Sequence, residues 1–363
     1  MSVLSSLSDL GTRAYALALL ATKVGPTSRY GRQSNALVRY RMLEALASIG
    51  LFDYLRQPRT YEDVLNTYSF VDTPYTRDVF KALSDPKKGV LVQENGTYRL
   101  VENFRLPPWE EFSPKILPVI RNLEFAQQYA QLVPLRMRGE DIPLAERLEK
   151  ERNSLLKFDD TLTNRIYDGL RIVSYAWARP LLGDVTGKTL LDVGCGSGRE
   201  TAHLWVLFEG KARIVSVDPV QAFVDMAQER FPHYVQELAP ERVEYFRRQM
   251  EVNPPEFAVM SAEDLRFPDA SVNYIFHSQM LHWTSDVRTT IRELLRVLKP
   301  GGVIFGSEVC KPTADIFLDL MFRISDNIAG TVWLDDLINW YAENGATFEN
   351  LAVGIHRGRK NGA

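Results

Sequence analysis

Cysteine is nearly missing from this chain: Cys195 and Cys310 are the only two in 363 residues. So few exclude a disulfide framework and point to a reducing, cytoplasmic setting. Charge of one sign is lacking too, since 43 Lys and Arg face 46 Asp and Glu. That balance gives no bulk pull toward nucleic acid or an anionic membrane. Long apolar runs are absent as well. The stretch Ala14 to Ala21 is followed within two residues by Lys23, too short to span a bilayer, so it reads as a packing helix, and no secretory signal is evident. The five histidines and two cysteines do not cluster at metal-ligand spacings, so no metal is expected. What is present is length, enough for a substantial core and for two domains rather than one.

The most informative stretch is Leu190-Leu191-Asp192-Val193-Gly194-Cys195-Gly196-Ser197-Gly198. An apolar run ends in an acid and three alternate glycines follow. A second acid, Asp218, then closes the apolar run Ile214 to Val217 twenty residues after Gly198. A chain turning from strand to helix beside a ligand needs glycine, because a Cβ would obstruct the approach. A carboxylate at the end of the next strand can accept hydrogen bonds from both hydroxyls of a ribose. The dinucleotide fingerprint requires glycine at position 199, which here is Arg199, so a nicotinamide or flavin dinucleotide fits poorly.

With Asp192 included, the stretch resembles motif I of the class I S-adenosylmethionine-dependent methyltransferases. The resemblance implies S-adenosyl-L-methionine as cofactor. It places Asp192, Gly194, Cys195, Gly196 and Gly198 at the amino-acid end of the cofactor, and Asp218 with Pro219 at its ribose. Ser261 to Val272 is similar to the segment that contacts adenine in this superfamily. Ser261 stands where an acid is usual, so Ala262 and Glu263, or else Asp264, become the candidates there. Arg292 to Gly302 matches the family's helix and turn before strand five, where Pro300 ends the helix and Gly301-Gly302 permit the turn. Asn273 replaces the aspartate usual in strand four and removes one expected charge.

After Gly187 short apolar runs alternate with helical patterns, the signature of a parallel sheet covered on both faces. The expected class is α/β, a Rossmann-like doubly wound sheet preceded by a mostly helical winged-helix domain. Strands are expected at Thr189–Val193, Ile214–Val217, Phe257–Met260, Val272–Phe276 and Val303–Ser307. Helices are expected at Glu200–Phe208, Val220–Arg230 and Tyr234–Met250. Ligands of such sheets sit beyond the carboxyl ends of the strands, where motif I, Asp218, Ala262-Glu263 and Ser278-Gln279 all fall. Thr347 to His356 reads as a single last strand, and Arg357-Gly358-Arg359-Lys360 as a solvated basic end.

Methyl transfer from a sulfonium is an in-line displacement, so alignment supplies much of the catalysis. A hydroxyl acceptor must also lose a proton, and histidine is the side chain suited to take it. His282, in Met280-Leu281-His282-Trp283-Thr284-Ser285-Asp286, follows strand four at the rim of the crevice. The segment is similar to one in O-methyltransferases whose histidine is the general base, although the acid that follows it there is missing here. The other reading is a loop histidine that packs or caps the helix near Ser285. His277 is expected at the strand end beside the cofactor. Glu308 and Asp315, beyond strand five, can orient a base, and Glu308 follows the strand directly.

In the N-terminal third, helical spacing runs through Leu43, Leu46, Ala47, Leu51 and Leu55 with Gly50 interrupting. Thr60 and Thr73-Pro74 read as helix starts, and Asn95-Gly96 between two alternating runs as a hairpin turn. Three helices and a wing, Arg41 to Leu100, resemble the dimerisation domain of small-molecule O-methyltransferases. The third helix offers Arg77, Lys81, Lys87 and Lys88 against Asp78 and Asp85, a weak footprint for DNA, so no nucleic acid is expected. The expected domains are a helical arm at 1–32, a winged-helix-like unit at 33–105, connecting helices forming a substrate-pocket wall at 106–185 and a methyltransferase domain at 186–363. The expected protein is a cytoplasmic homodimer that methylates a small apolar or aromatic metabolite on a hydroxyl oxygen. Carbon methylation of a quinone-like intermediate is the alternative. A non-methylating catalyst or DNA-binding regulator on the same fold is a further one.

Overall fold

The computed structural model describes residues 3–24, 27–163, 165–352 and 354–362. Two compact units emerge: 1–27 with 145–313 and 331–363, and 28–144 with 314–330. The division differs from the expected four segments. Residues 1–27 belong with the sheet, and 314–330 belongs with the N-terminal helices.

In the sheet-containing unit, seven strands are numbered in chain order: β1 Thr189–Val193, β2 Arg213–Asp218, β3 Glu256–Val259, β4 Val272–Ser278, β5 Leu298–Ser307, β6 Glu349–Ala352 and β7 Ile355–Arg359. Their spatial order is β6-β7-β5-β4-β1-β2-β3. Strands β1 to β5 are parallel, whereas β7 runs antiparallel to both β5 and β6. The order reverses at β1, so the crevice opens beyond the carboxyl ends of β1 and β4. One face buries Trp205, Phe231, Phe246, Phe276 and Phe305 in a common cluster. His277, next along β4, points to the opposite face and meets Tyr341 of helix Leu334–Glu343. Helices therefore cover both faces.

Three expectations are corrected here. Helix Gln221–Leu238 runs unbroken through Pro232, because Phe231, Tyr234 and Val235 on either side are anchored in the core; after a 3-10 turn at Pro240–Arg242 the next α-helix starts at Val243. The single last strand is a hairpin, β6 and β7, turning at Gly354 with φ +81°. The basic end is not solvated at Arg357, which is 2% exposed, donates to the Trp177 carbonyl at 2.9 Å and pairs with Glu349 at 2.7 Å. The N-terminal helix Val3–Leu19 and its continuation bury Ala16 and Leu20 against Val173, Trp177, Leu351 and Ile355.

In the other unit, Thr60 caps helix Tyr61–Tyr68 with a full capping box, and Thr73 caps Pro74–Leu83 with proline at its start. Asn95 and Gly96 both have positive φ, as the tight turn between Leu91–Glu94 and Thr97–Leu100 requires. Arg59–Thr60 adds a third strand to that hairpin. The returning segment contributes helix Ile316–Phe322, held by Lys88 on Asp315 at 2.9 Å and Arg323 on Asp78 at 2.7 Å.

Candidate functional site

The glycine loop leaves β1 under strong steric constraint. Gly194, Gly196 and Gly198 all have φ between +51° and +84°. A Cβ on Gly194 would lie 2.8 Å from that of Met280, and one on Gly198 would lie 2.9 Å from that of Ala227. The loop is drawn toward β2 by the Gly194 and Cys195 N–H groups, both donating to the Val217 carbonyl at 2.8 and 3.0 Å. Cys195 is fully buried, and burial pushes its thiol well above the usual range. Its role is to fill space rather than to react.

Two buried acids flank the loop. Asp192 accepts from Thr201 at 2.7 Å through Oδ2, while its Oδ1 has no hydrogen-bond partner. Burial, reinforced by the Glu200 charge, raises its pKa to about 8. Asp218, at the end of β2, accepts the Gly196 and Val220 N–H groups at 3.0 Å each, yet burial still raises it to about 6. Pro219 is exposed at the turn into helix Gln221–Leu238.

A second set of groups, unmarked by any local sequence pattern, covers the loop. Asp159, on helix Arg152–Leu162, is bonded to Ser197 of the loop and to Arg230. Arg171, 2% exposed, joins Asp168 and Glu200 at 2.7 and 2.6 Å. Phe158 packs against Phe223 and Trp283, with ring centroids 5.5 Å apart in both cases.

At the end of β4 the chain turns sharply. Ser278 shares a 2.8 Å hydroxyl contact with Ser307, and Gln279 takes φ +56°, an uncommon backbone state for a residue with a side chain. That turn aims the N–H groups of Met280 and Leu281 at one oxygen of Glu308, at 3.1 and 2.8 Å. The other oxygen of Glu308 meets His282 Nδ1 at 2.5 Å. Both side chains are almost wholly buried, at 4% and 1% exposure. With the Nδ1 proton donated to Glu308, the basic lone pair of the imidazole lies on Nε2. A histidine so held can accept a proton there while the carboxylate neutralises the charge that forms.

The remaining predicted residues have other roles. Glu263 accepts from Ser285 N and Oγ and from Asp286 N at 2.6 to 3.0 Å, tying the buried Ala262 turn to the loop that carries His282. Asp315 caps helix Ile316–Phe322 in the other unit. Asn273 accepts from Thr189 N at 3.2 Å near the start of β4, at the opposite end from the crevice. The missing aspartate therefore costs the site no charge. His277 is buried against His356 and Tyr341.

Strand order and glycine loop together have the form of a nucleotide-type cofactor domain, with its crevice at the strand-order reversal. Residues 191–306 match the family described as a methyltransferase domain. The residues present fit the S-adenosylmethionine expected from the sequence: Gly194 and Gly198 leave no room for a Cβ, Asp218 is a buried carboxyl at the end of β2, and Asp192 Oδ1 has no hydrogen-bond partner among the described residues. Among curated proteins, the chain is 29% identical to the malonyl-[acyl-carrier protein] O-methyltransferase of Yersinia pestis, over 36% of this chain and 40% of that protein. It is 26% identical to demethylmenaquinone methyltransferase of Lactococcus lactis, over 43% of this chain and 57% of that one. It is 32% identical to trans-aconitate 2-methyltransferase of an Azoarcus strain, over 41% and 46%. The chain thus spans less than two thirds of each of these relatives. The fold is similar over nearly the whole chain to the CurJ carbon methyltransferase, with TM-score 0.71, 16% identity and coverage of 96% and 97%. The citrinin polyketide synthase CMeT domain is similar in the same way, with TM-score 0.68, 12% identity and coverage of 98% and 97%.

Proposed function

We propose that this chain transfers a methyl group from S-adenosylmethionine to a small acceptor that must first lose a proton, with His282 as general base and Glu308 as its orienting carboxylate. The observation that carries the reading is the buried His282–Glu308 pair at the carboxyl end of β4. An acceptor O–H or C–H bond breaks, its proton passes to His282 Nε2, and the electron pair left on the acceptor forms the new bond to the methyl carbon. When bound, S-adenosylmethionine supplies an electrophilic methyl on sulfur, which keeps the electrons of the broken C–S bond. Glu308 balances the imidazolium, and its own position is fixed by the Met280 and Leu281 N–H groups. The residues assigned to hold the cofactor are Asp192, the loop from Gly194 to Gly198, Asp218 and Ala262, with Ser278 and Gln279 forming the rim.

The acceptor we infer is an enolisable carbon, a C–H flanked by carbonyl groups, since removal of that proton gives a delocalised anion that attacks through carbon. The whole-chain likeness to proteins titled carbon methyltransferases supports it. A hydroxyl acceptor is the second reading, supported by the loop segment Leu281-His282-Trp283 and by curated relatives named O-methyltransferases. A homodimer formed through the N-terminal unit and a cytoplasmic location belong to the same proposal. The test uses S-adenosylmethionine carrying a 13C methyl, offered with β-ketoacyl thioesters and with phenols, and reads the product by carbon NMR. A methyl resonance bonded to carbon is expected. A methoxy resonance would move the assignment to the hydroxyl reading, and tight cofactor binding without transfer to any acceptor would overturn the activity.

A further inference from the structure

The C-terminal hairpin reaches back to the carboxylate behind the base. β4, β5 and β7 are neighbours, and their register aligns His277, Gly306 and His356 in one row across the sheet. Gly306 has no side chain, and a Cβ there would fall 1.6 Å from the His277 carbonyl oxygen. The two imidazoles therefore meet over the middle strand, Nε2 to Nε2 at 3.0 Å. Both are fully buried and held below the usual imidazole range by that burial, which makes them a neutral pair.

The neutral state fixes the protons. His356 Nδ1 lies 3.0 Å from the Gly354 carbonyl, an acceptor only, so the His356 proton is on Nδ1 and its Nε2 accepts from His277 Nε2–H. The same Gly354 carbonyl accepts the backbone N–H of Glu308 at 3.0 Å. Gly354 is itself wedged: a Cβ there would lie 1.8 Å from the Glu308 carbonyl oxygen. One carbonyl oxygen thus links the imidazole of β7 to the backbone of the residue that orients His282. Tyr341, 3.3 Å from His277 Nε2, and Phe348, stacked on His356, close the cluster.

We infer that His356 is a positioning residue for methyl transfer: through the Gly354 carbonyl it fixes the backbone of Glu308, and so the direction in which the carboxylate holds His282. The inference rests on the proposed reading of His282 and Glu308 as base and orienting acid.

Two variants separate the two edges of the imidazole. In His356→Asn the amide nitrogen stands near the place of Nδ1 and still donates to Gly354. In His356→Gln it stands near the place of Nε2, reaching His277 and leaving Gly354 without its side-chain donor. The expectation is that His356→Gln lowers kcat by about ten- to a hundredfold and displaces the acid limb of the kcat–pH profile. KM for the acceptor and the affinity for S-adenosylhomocysteine should stay near wild type. His356→Asn should restore kcat to within about threefold. Equal losses in the two variants, or no loss in His356→Gln, would overturn the inference. The native protein offers a second test that needs no variant to fold: nitrogen NMR should find the His356 proton on Nδ1, and a proton on Nε2 instead would overturn it. Glu308→Gln keeps the two readings apart. If that variant retains full kcat, the base assignment itself fails; if it is inactive while His356→Gln is not, only the positioning role fails.

Discussion

Among residues, Asp218 bears most directly on the cofactor binding proposed above. Its carboxyl is raised to about 6 by burial despite two backbone donors. Ribose hydroxyls donate to a carboxylate but compete with the proton of a carboxylic acid. As pH falls through about 6 the ionised form is lost, so affinity for S-adenosylhomocysteine should weaken by up to about tenfold per unit below that point. Titration calorimetry between pH 5 and 8 measures this directly. Asp218→Asn should bind more weakly at pH 7.5 and lose the pH dependence; a wild-type affinity flat across the range would remove Asp218 from the ribose role. Motif spacing marked this acid, while its elevated pKa follows from burial and needed three dimensions. Glu308 is similar: adjacency to strand five made it a candidate, and only the turn at Gln279 brings it onto His282.

Among elements, the glycine loop and the caps were legible because their signals act over a few residues. Thr60 and Thr73-Pro74 start helices where their side chains can cap, and Asn95-Gly96 turns where positive φ is needed. Gly198 shows the loop's constraint, since φ is +84° and a Cβ would meet Ala227 at 2.9 Å. Gly198→Ala should therefore cost about 1–3 kcal/mol of stability, read as a lower urea midpoint, and should weaken cofactor binding. An unchanged midpoint would mean that the loop and helix Gln221–Leu238 separate at little cost. That helix was one of the elements misread from sequence. Proline removes one backbone donor and disfavours helix before it, but Phe231, Tyr234 and Val235 are buried in one cluster, and that packing holds the helix through Pro232.

At the scale of the whole molecule, the chain ends decide how the sheet is completed. The first helix adds Ala16 and Leu20 to a cluster with Val173, Trp177, Leu351 and Ile355, so it closes over the β6–β7 hairpin from the far end of the sequence. Removing residues 1–22 should cost roughly 2–4 kcal/mol from lost apolar burial, followed by urea denaturation with tryptophan fluorescence. A truncated chain as stable as the full one would show that this helix adds nothing to the core. No helix among the described residues is long and apolar enough to cross a membrane.

The sequence by itself determined the α/β class, the glycine loop, the spacing to Asp218, and the caps and turn of the N-terminal unit, because each depends on backbone conformations set by neighbours a few residues apart. Tertiary structure alone decided what lies against the site. Asp159 on Ser197, Glu308 on His282 and His356 on His277 are separated by 38, 26 and 79 residues, and no local pattern specifies such pairs. They arise when parallel strands bring their carboxyl ends together and an antiparallel hairpin closes beside them, which burial of the sheet's two apolar faces enforces.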